Sequence, residues 1–516
     1  MEELFGGDGM GVTRAQSEAW KVWIALGGAL LALVQAALPA RLRRGLLLGL
    51  VVAGALVYAR IGVRVPLHQV DGYDVIHYYL NAKYFDELGY FDLYPACMLA
   101  DVEAGGPRFD GGEVYLAQDE EGHHIEPLAH AIHRGRELRE QSFSSERWDA
   151  FKHDFLFLQR EVPGMSDTLW RQLIQDHGFN GTPVWTWIAS PIASAVPVEA
   201  IKLLGYLDVA LVGAALVALA RAAGVETSGW VLLFLWVTYS GRWPTYSSAF
   251  LRYDWLAGLI FAYAAIRSGR PVLGGLAAAW AATLRFFPAL WLILLGLKGL
   301  FGLARRSVSR PLLWLAAGFI IGAALLQGAA TWSLGSEAVV THYRNMDDHN
   351  SSAQLSSRRI GFATALPYRG QILPKNITKA MKAEIESQRP LRFAIAGVVT
   401  LLLGFLTRRE RDERVFALGF LPFFLFTTAS YYYYVARATL VAGHADGAVT
   451  RWRDRVGLAA LFGMEAFSNL AETRLAEHRV FLIGTLSWLL AAYCLMLLLW
   501  LGVEEWRHQR SARARG

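Results

Sequence analysis

Trp20-Lys-Val-Trp-Ile-Ala-Leu-Gly-Gly-Ala-Leu-Leu-Ala-Leu-Val-Gln-Ala-Ala-Leu-Pro39 carries a single charge, Lys21, and is followed at once by Ala40-Arg-Leu-Arg-Arg44. A bilayer core about 30 Å thick is crossed by roughly 17 to 25 apolar residues in a helix, which satisfies its own backbone hydrogen bonds in lipid. The run therefore reads as a membrane-spanning helix. Arginines stand where a cleavable leader would show small residues, so the span is expected to be retained, with its C-terminal end in the cytoplasm.

Runs of the same character recur at 45–63, 201–221, 311–330 and 480–501, with somewhat shorter ones at 391–406 and 414–428. Less regular apolar stretches lie at 230–244, 252–266, 271–284, 287–303, 431–445 and 456–470. The sequence thus predicts an all-α polytopic membrane protein of about thirteen transmembrane helices. Composition agrees: of 516 residues, 54% are hydrophobic and only 18% charged, against about a quarter charged in a soluble chain. A net charge of +6, with the arginines in short clusters between apolar runs, fits membrane sorting and excludes a nucleic-acid-binding tract. Two cysteines, Cys97 in a polar region and Cys494 in an apolar run, exclude a disulfide scaffold.

With the first span running outside to inside, the inner connections hold twenty-one Lys and Arg and the short outer ones six. This asymmetry predicts an extracytoplasmic N-terminus, a basic cytoplasmic C-terminal tail, and two long loops outside. The chain divides into two spans (1–63), a long outer loop with juxtamembrane helices (64–183), a transmembrane core with a short helical hairpin (184–330), a second outer loop (331–390) and the C-terminal spans with the tail (391–516). In the first loop, helical spacing of Ile76, Tyr79, Ala82 and Phe85, and of Trp148, Phe151, Phe155 and Leu158, predicts surface helices at 74–88 and 145–162. The stretch 104–122 reads as a connecting loop, and 182–191, aromatic between prolines, as a segment that re-enters the membrane interface without crossing.

Ionisable groups are costly in a bilayer and tend to be functional there. Arg252, Asp254, Arg285, Arg437 and Glu465 all fall near the outer ends of predicted spans. Arginine forks match phosphate oxygens, so Arg252, Arg285 and Arg437 are candidates for a lipid phosphate; snorkelling to the interface is the competing reading. Arg285 stands at the outer tip of a hairpin whose other ends are Arg-rich. Asp71 and Asp74, just beyond the second span, are candidate general bases at a membrane mouth, or a helix cap. Asp101 and Glu103 have a D-x-E spacing used by divalent-cation sites, which would take Mg or Mn, and equally common in ordinary loops. Glu126, His130 and His133 share a face if 126–139 is helical, a weaker zinc pattern than a solvated face. His342, Asp347 and Asp348 lie within nine residues of the second loop, placed to meet a sugar or metal, or simply exposed.

Three stretches together resemble the GT-C superfamily of integral-membrane glycosyltransferases, in particular its polyprenyl-phosphate-mannose-dependent α-mannosyltransferase branch. Asp74-x3-Tyr78-x3-Ala82-x6-Gly89-x4-Tyr94 is similar to that family's opening loop. Thr182-Pro183-Val-Trp through Pro191 is similar to its Tyr-x-Pro-Pro segment, without the Tyr and one Pro. Trp255 through Arg270-Pro271 to Arg285-Phe-Phe-Pro288 resembles a hairpin in which Lys-x-x-Pro is usual, with Arg here in place of Lys. The resemblance implies inverting transfer of a sugar from a polyprenyl-phosphate donor to an extracytoplasmic lipid, glycan or protein hydroxyl. It implies Asp74 as general base and Arg285 as partner of the leaving phosphate. Ala- and Arg-rich composition points to a bacterial inner membrane. Two other readings compete. A transporter or lipid flippase would use a mid-span ionisable group, for which Asp208 is the candidate; a non-catalytic relative would tolerate changes at Asp74 and Arg285.

Overall fold

A computed structural model of the chain describes residues 13–59, 70–105, 114–119, 122–161, 178–242, 245–307, 309–349 and 356–513, together with Trp170, Leu173, Ile174 and Asp176. The protein is a predominantly helical membrane protein. Among the described residues, six helical stretches are long and apolar enough to cross a bilayer: Ala15–Ala37, Val198–Ala223, Phe287–Ala304, Arg310–Met346, Arg389–Thr407 and Arg479–Ser511. Chain order gives α1 (Arg14–Val34), α2 (Ala40–Tyr58), α3 (Leu93–Glu103), α4 (Leu128–Gln141), α5 (Ser145–Glu161), α6 (Pro183–Ala195), α7 (Gly205–Ala223), α8 (Val225–Val237), α9 (Asp254–Arg267) and α10 (Pro271–Leu284). Then follow α11 (Ile293–Ala304), α12 (Arg310–His349), α13 (Arg389–Thr407), α14 (Trp452–Leu475) and α15 (Arg479–Arg513).

Several of the expected spans are not single uninterrupted helices. The predicted span 414–428 is broken into Asp412–Ala417 and Phe420–Phe426, and 431–445 starts as a tight 3₁₀ turn, Tyr431–Arg437, leaving only the eight-residue helix Ala438–Ala445. The stretch 456–470 lies inside α14, which carries Asp454 and Glu465 buried against other helices. These pieces are apolar because they are enclosed by protein. Local hydropathy does not separate that environment from lipid.

Small residues bring helices together, as they do where lipid removes the hydrophobic drive for association. Where α10 crosses α12, a Cβ on Gly275 would stand 2.1 Å from the Leu315 carbonyl oxygen, and one on Gly318 2.4 Å from that of Val272. The basic connections gather at one end of the bundle, bound to carboxylates: Arg43 with Glu226 at 2.7 Å, Arg267 with Asp446 at 3.2 Å, Lys298 with Asp412 at 2.7 Å and Arg414 with Asp454 at 2.9 Å. The opposite end holds the two loop regions.

In the first loop, part of the expected connector is a hairpin, β1 (Val114–Asp119) paired antiparallel with β2 (Gly122–Pro127). Glu126 is thus on a strand, with the helix bearing His130 and His133 starting only at Leu128. The surface helix predicted at 145–162 is α5, its aromatic stripe of Trp148, Phe151 and Phe155 buried. The second loop begins later than expected, because α12 continues to His349 across a kink at Gly335, where φ is +85° and glycine alone is unstrained. A second ribbon, β3 (Arg359–Gly361) against β4 (Thr428–Ser430), ties this loop to the C-terminal half.

Candidate functional site

Asp71 caps the four-residue helix Gly72–Val75, its carboxylate accepting from the Asp74 N–H at 3.0 Å. It is held in place by its own N–H, which donates to the Ser248 carbonyl at 2.8 Å. Of the two acids, then, Asp71 takes the capping part. A π-turn, Ile76–Leu80, follows directly, an element often found at functional sites. It turns Tyr78 toward the bundle centre and leaves Asp74 buried, 2% exposed. His77 completes the turn: its Nδ1–H donates to the Tyr73 carbonyl at 2.7 Å, so Nε2 accepts from the Tyr94 hydroxyl at 2.6 Å. Burial lowers the His77 pKa, consistent with that neutral tautomer.

The other half of the centre is the turn before α9. Leu251 has φ +48°, a strained value for a leucine, and the turn is pinned by acceptors. The Phe250 N–H donates to Asp74 Oδ2 at 3.3 Å, while those of Arg252 and Tyr253 donate to Asp208 at 2.7 and 3.0 Å. The Trp185 indole on α6 donates to the Leu251 carbonyl at 2.9 Å. Asp208 is therefore a backbone anchor, and its depth in the span has a structural cause.

Arg252 pairs with Asp74, Nη1 to Oδ1 at 3.4 Å, and its guanidinium lies between the rings of Tyr78 and Tyr432, 4.8 and 4.6 Å from their centroids. Burial raises the Asp74 carboxyl above the ordinary range, with Arg252 opposing the shift. Arg285, at the C-terminus of α10, faces Tyr78 and Trp185 at 5.4 and 5.9 Å. It is 5% exposed, and among the described residues its Nε and Nη2 have no hydrogen-bond acceptor.

Arg285 opens onto a cavity of about 330 Å³ whose lining includes three more arginines, Arg359, Arg389 and Arg392, with Glu386 as the acid. Its apolar wall includes Phe287, Phe423 and Tyr433. Asp74 is not in this lining; it is linked to the cavity through Arg252, whose guanidinium rests on the lining residue Tyr432. Burial lowers the pKa of Arg359. Arg359, Arg389, Arg392 and Tyr432 had not been singled out from sequence; the signal present was two arginines three apart opening an apolar helix, which also fits snorkelling.

Arg437 is a correction. It is fully buried but turned into the bundle, bonded to Glu465 at 2.8 Å and Ser240 at 3.2 Å, so it does not line the cavity. Arg437 ends the 3₁₀ segment Tyr431–Arg437, and the direction of its side chain is set by these packing partners, which the sequence does not show. Asp101 and Glu103 also part company. Asp101 is buried and accepts from Gln159 at 2.8 Å, while Glu103 binds Arg139 at 2.5 Å and the Trp148 indole at 3.0 Å. Residues two apart on a helix face different ways, and here Asp101 fastens α3 to α5 while Glu103 reaches both α4 and α5. His342, on α12, is buried against Tyr90, ring centroids 5.7 Å apart, instead of exposed on a loop. Asp347 and Asp348 are in the last turn of α12, their side chains outside the described residues. Among the described residues no cluster of three or more His, Cys, Asp or Glu is arranged to hold a metal.

These features define a polytopic helical membrane protein with a buried acid–arginine centre beside an arginine-lined cavity. Comparison with family models, curated proteins and solved structures yields no match.

Proposed function

We propose that the protein is an inverting glycosyltransferase that moves a mannose-like sugar from a polyprenyl-phosphate donor to a lipid, glycan or protein hydroxyl on the extracytoplasmic face of a bacterial inner membrane. The observation that carries this reading is Arg285: a buried guanidinium with two unmatched N–H donors, facing an arginine-rich, aromatic-walled cavity. A phosphate with an apolar tail matches both surfaces of that cavity. The GT-C architecture with thirteen spans belongs to the same proposal.

In this reading Asp74 takes the acceptor hydroxyl proton as the oxygen attacks the anomeric carbon from the side opposite the phosphate. The bond from that carbon to the phosphate oxygen breaks, and Arg285 meets the charge that grows on the departing lipid phosphate. Arg252 holds the Asp74 carboxylate in place and becomes the partner of the second phosphate charge. A divalent ion, Mg or Mn, remains a separate proposal with no step assigned to it.

Proteoliposomes supplied with polyprenyl-phosphate mannose and extracted acceptor lipids test the assignment. Wild type is expected to consume donor, Asp74→Asn to lose at least 10²-fold in turnover, and Arg285→Lys to keep part of the rate that Arg285→Ala loses. Turnover unchanged in Asp74→Asn sinks the catalytic assignment. Full activity in chelator removes the divalent ion from it.

A further inference from the structure

A second cavity, of about 610 Å³, lies between α7, α9 and α10. Its walls are apolar, from Leu211, Ala218, Phe261, Leu273 and Trp280. Arg221 and Arg270 stand at one end and Asp254 at the other. The helices α9 and α10 have 14 residues each, so each is about 21 Å long and shorter than the hydrocarbon core of a bilayer. A groove along such helices leaves a gap that an apolar chain fills.

Polarity along the groove fixes what fits. Asp254 closes one end with a buried carboxylate, 1% exposed, which disfavours an anion there. Arg221 and Arg270 are exposed at the other end, and among the described residues neither has a carboxylate partner. Neighbours on the same end, Arg43, Arg267 and Arg414, are paired. Two exposed guanidinium groups at one end of an apolar groove, one of them on the N-cap residue of α10, suit an anion that carries a hydrocarbon chain.

We infer that this groove binds an anionic phospholipid of the leaflet on the Arg221 side, its phosphate between Arg221 and Arg270 and one acyl chain along α9 and α10. The site is distinct from the arginine-rich cavity, because its cationic end is at the opposite end of α9 and α10 from Arg285. The inference does not depend on the glycosyltransferase reading.

Native mass spectrometry of the detergent-purified chain, titrated with phosphatidylglycerol, phosphatidylcholine or inorganic phosphate, tests it. Phosphatidylglycerol is expected to be retained roughly tenfold or more over phosphatidylcholine, given the attraction of two basic groups, and inorganic phosphate not to displace it. The double variant Arg221→Gln/Arg270→Gln should lose that preference, while Arg305→Gln/Arg306→Gln, on the same end, should keep it. Ala277→Phe, which narrows the groove with both arginines intact, should weaken retention of both lipids. Equal retention of the two lipids by wild type, displacement by phosphate alone, or an unchanged preference in the Arg221/Arg270 variant overturns the inference.

Discussion

Arg252 and Arg285 both lie against the Tyr78 ring, and among the described residues each has two buried nitrogens with no hydrogen-bond acceptor, but Arg252 is ion-paired to Asp74 at 3.4 Å. A buried donor left without an acceptor costs about 1–3 kcal/mol, so the open donors of Arg285 are poised for an anion. The same contrast sets a pH dependence. Burial raises the Asp74 carboxyl and Arg252 restrains the rise, so a base at this position works only once pH exceeds a value above the ordinary carboxylate range. Activity is expected to climb with pH along an acid limb above that range, and Arg252→Gln should move the limb higher still by removing the restraining charge. A limb that Arg252→Gln leaves in place, measured as kcat/KM against pH, would detach Arg252 from Asp74. Arg437 supplies the opposite case. Its ion pair with Glu465 is wholly buried, so Glu465→Ala should destabilise the fold by about 3–5 kcal/mol through the abandoned guanidinium, seen as a fall in the thermal midpoint.

At the scale of elements, the centre depends on one irregular turn, 245–253, that no helix or strand stabilises. Asp208 holds two of its N–H groups and Asp74 a third, and close approach of α7 makes this geometry reachable. A Cβ on Gly205 would stand 2.2 Å from the Ser247 carbonyl oxygen. Backbone on both sides cannot yield as a side-chain tip can, so Gly205→Ala should cost about 1–3 kcal/mol and lower transfer activity along with the melting midpoint. Loss of stability without loss of activity would show that the turn is not what positions Arg252. Sequence carried part of this. The placement of Arg285 at a helix end between two apolar runs was legible, and of the cap-or-base alternatives the cap falls on Asp71. What Asp208 does was hidden, because a carboxylate that accepts backbone N–H groups from a turn 44 residues away leaves no local pattern. Arg437 and Asp101 were misplaced for a related reason: position along a helix is legible, but rotation about its axis is set by packing partners.

The whole molecule is sorted into two ends, and the sorting was legible even where the number of spans was not. Basic connections chosen only by their place between apolar runs meet one another at one end, joined through Glu226, Asp412, Asp446 and Asp454. Asp74, Arg285 and the arginine-rich cavity are at the other. The Lys and Arg excess of the first end predicts that it faces the cytoplasm, with the cavity on the opposite face. Both native cysteines are buried, so single exposed cysteines can report the orientation against a low background. Ala383→Cys, beside the cavity helix α13, should react with a membrane-impermeant maleimide on intact cells. His508→Cys, in the last turns of α15, should react only after lysis. The reverse pattern would turn the cavity toward the cytoplasm and overturn an extracytoplasmic transfer site.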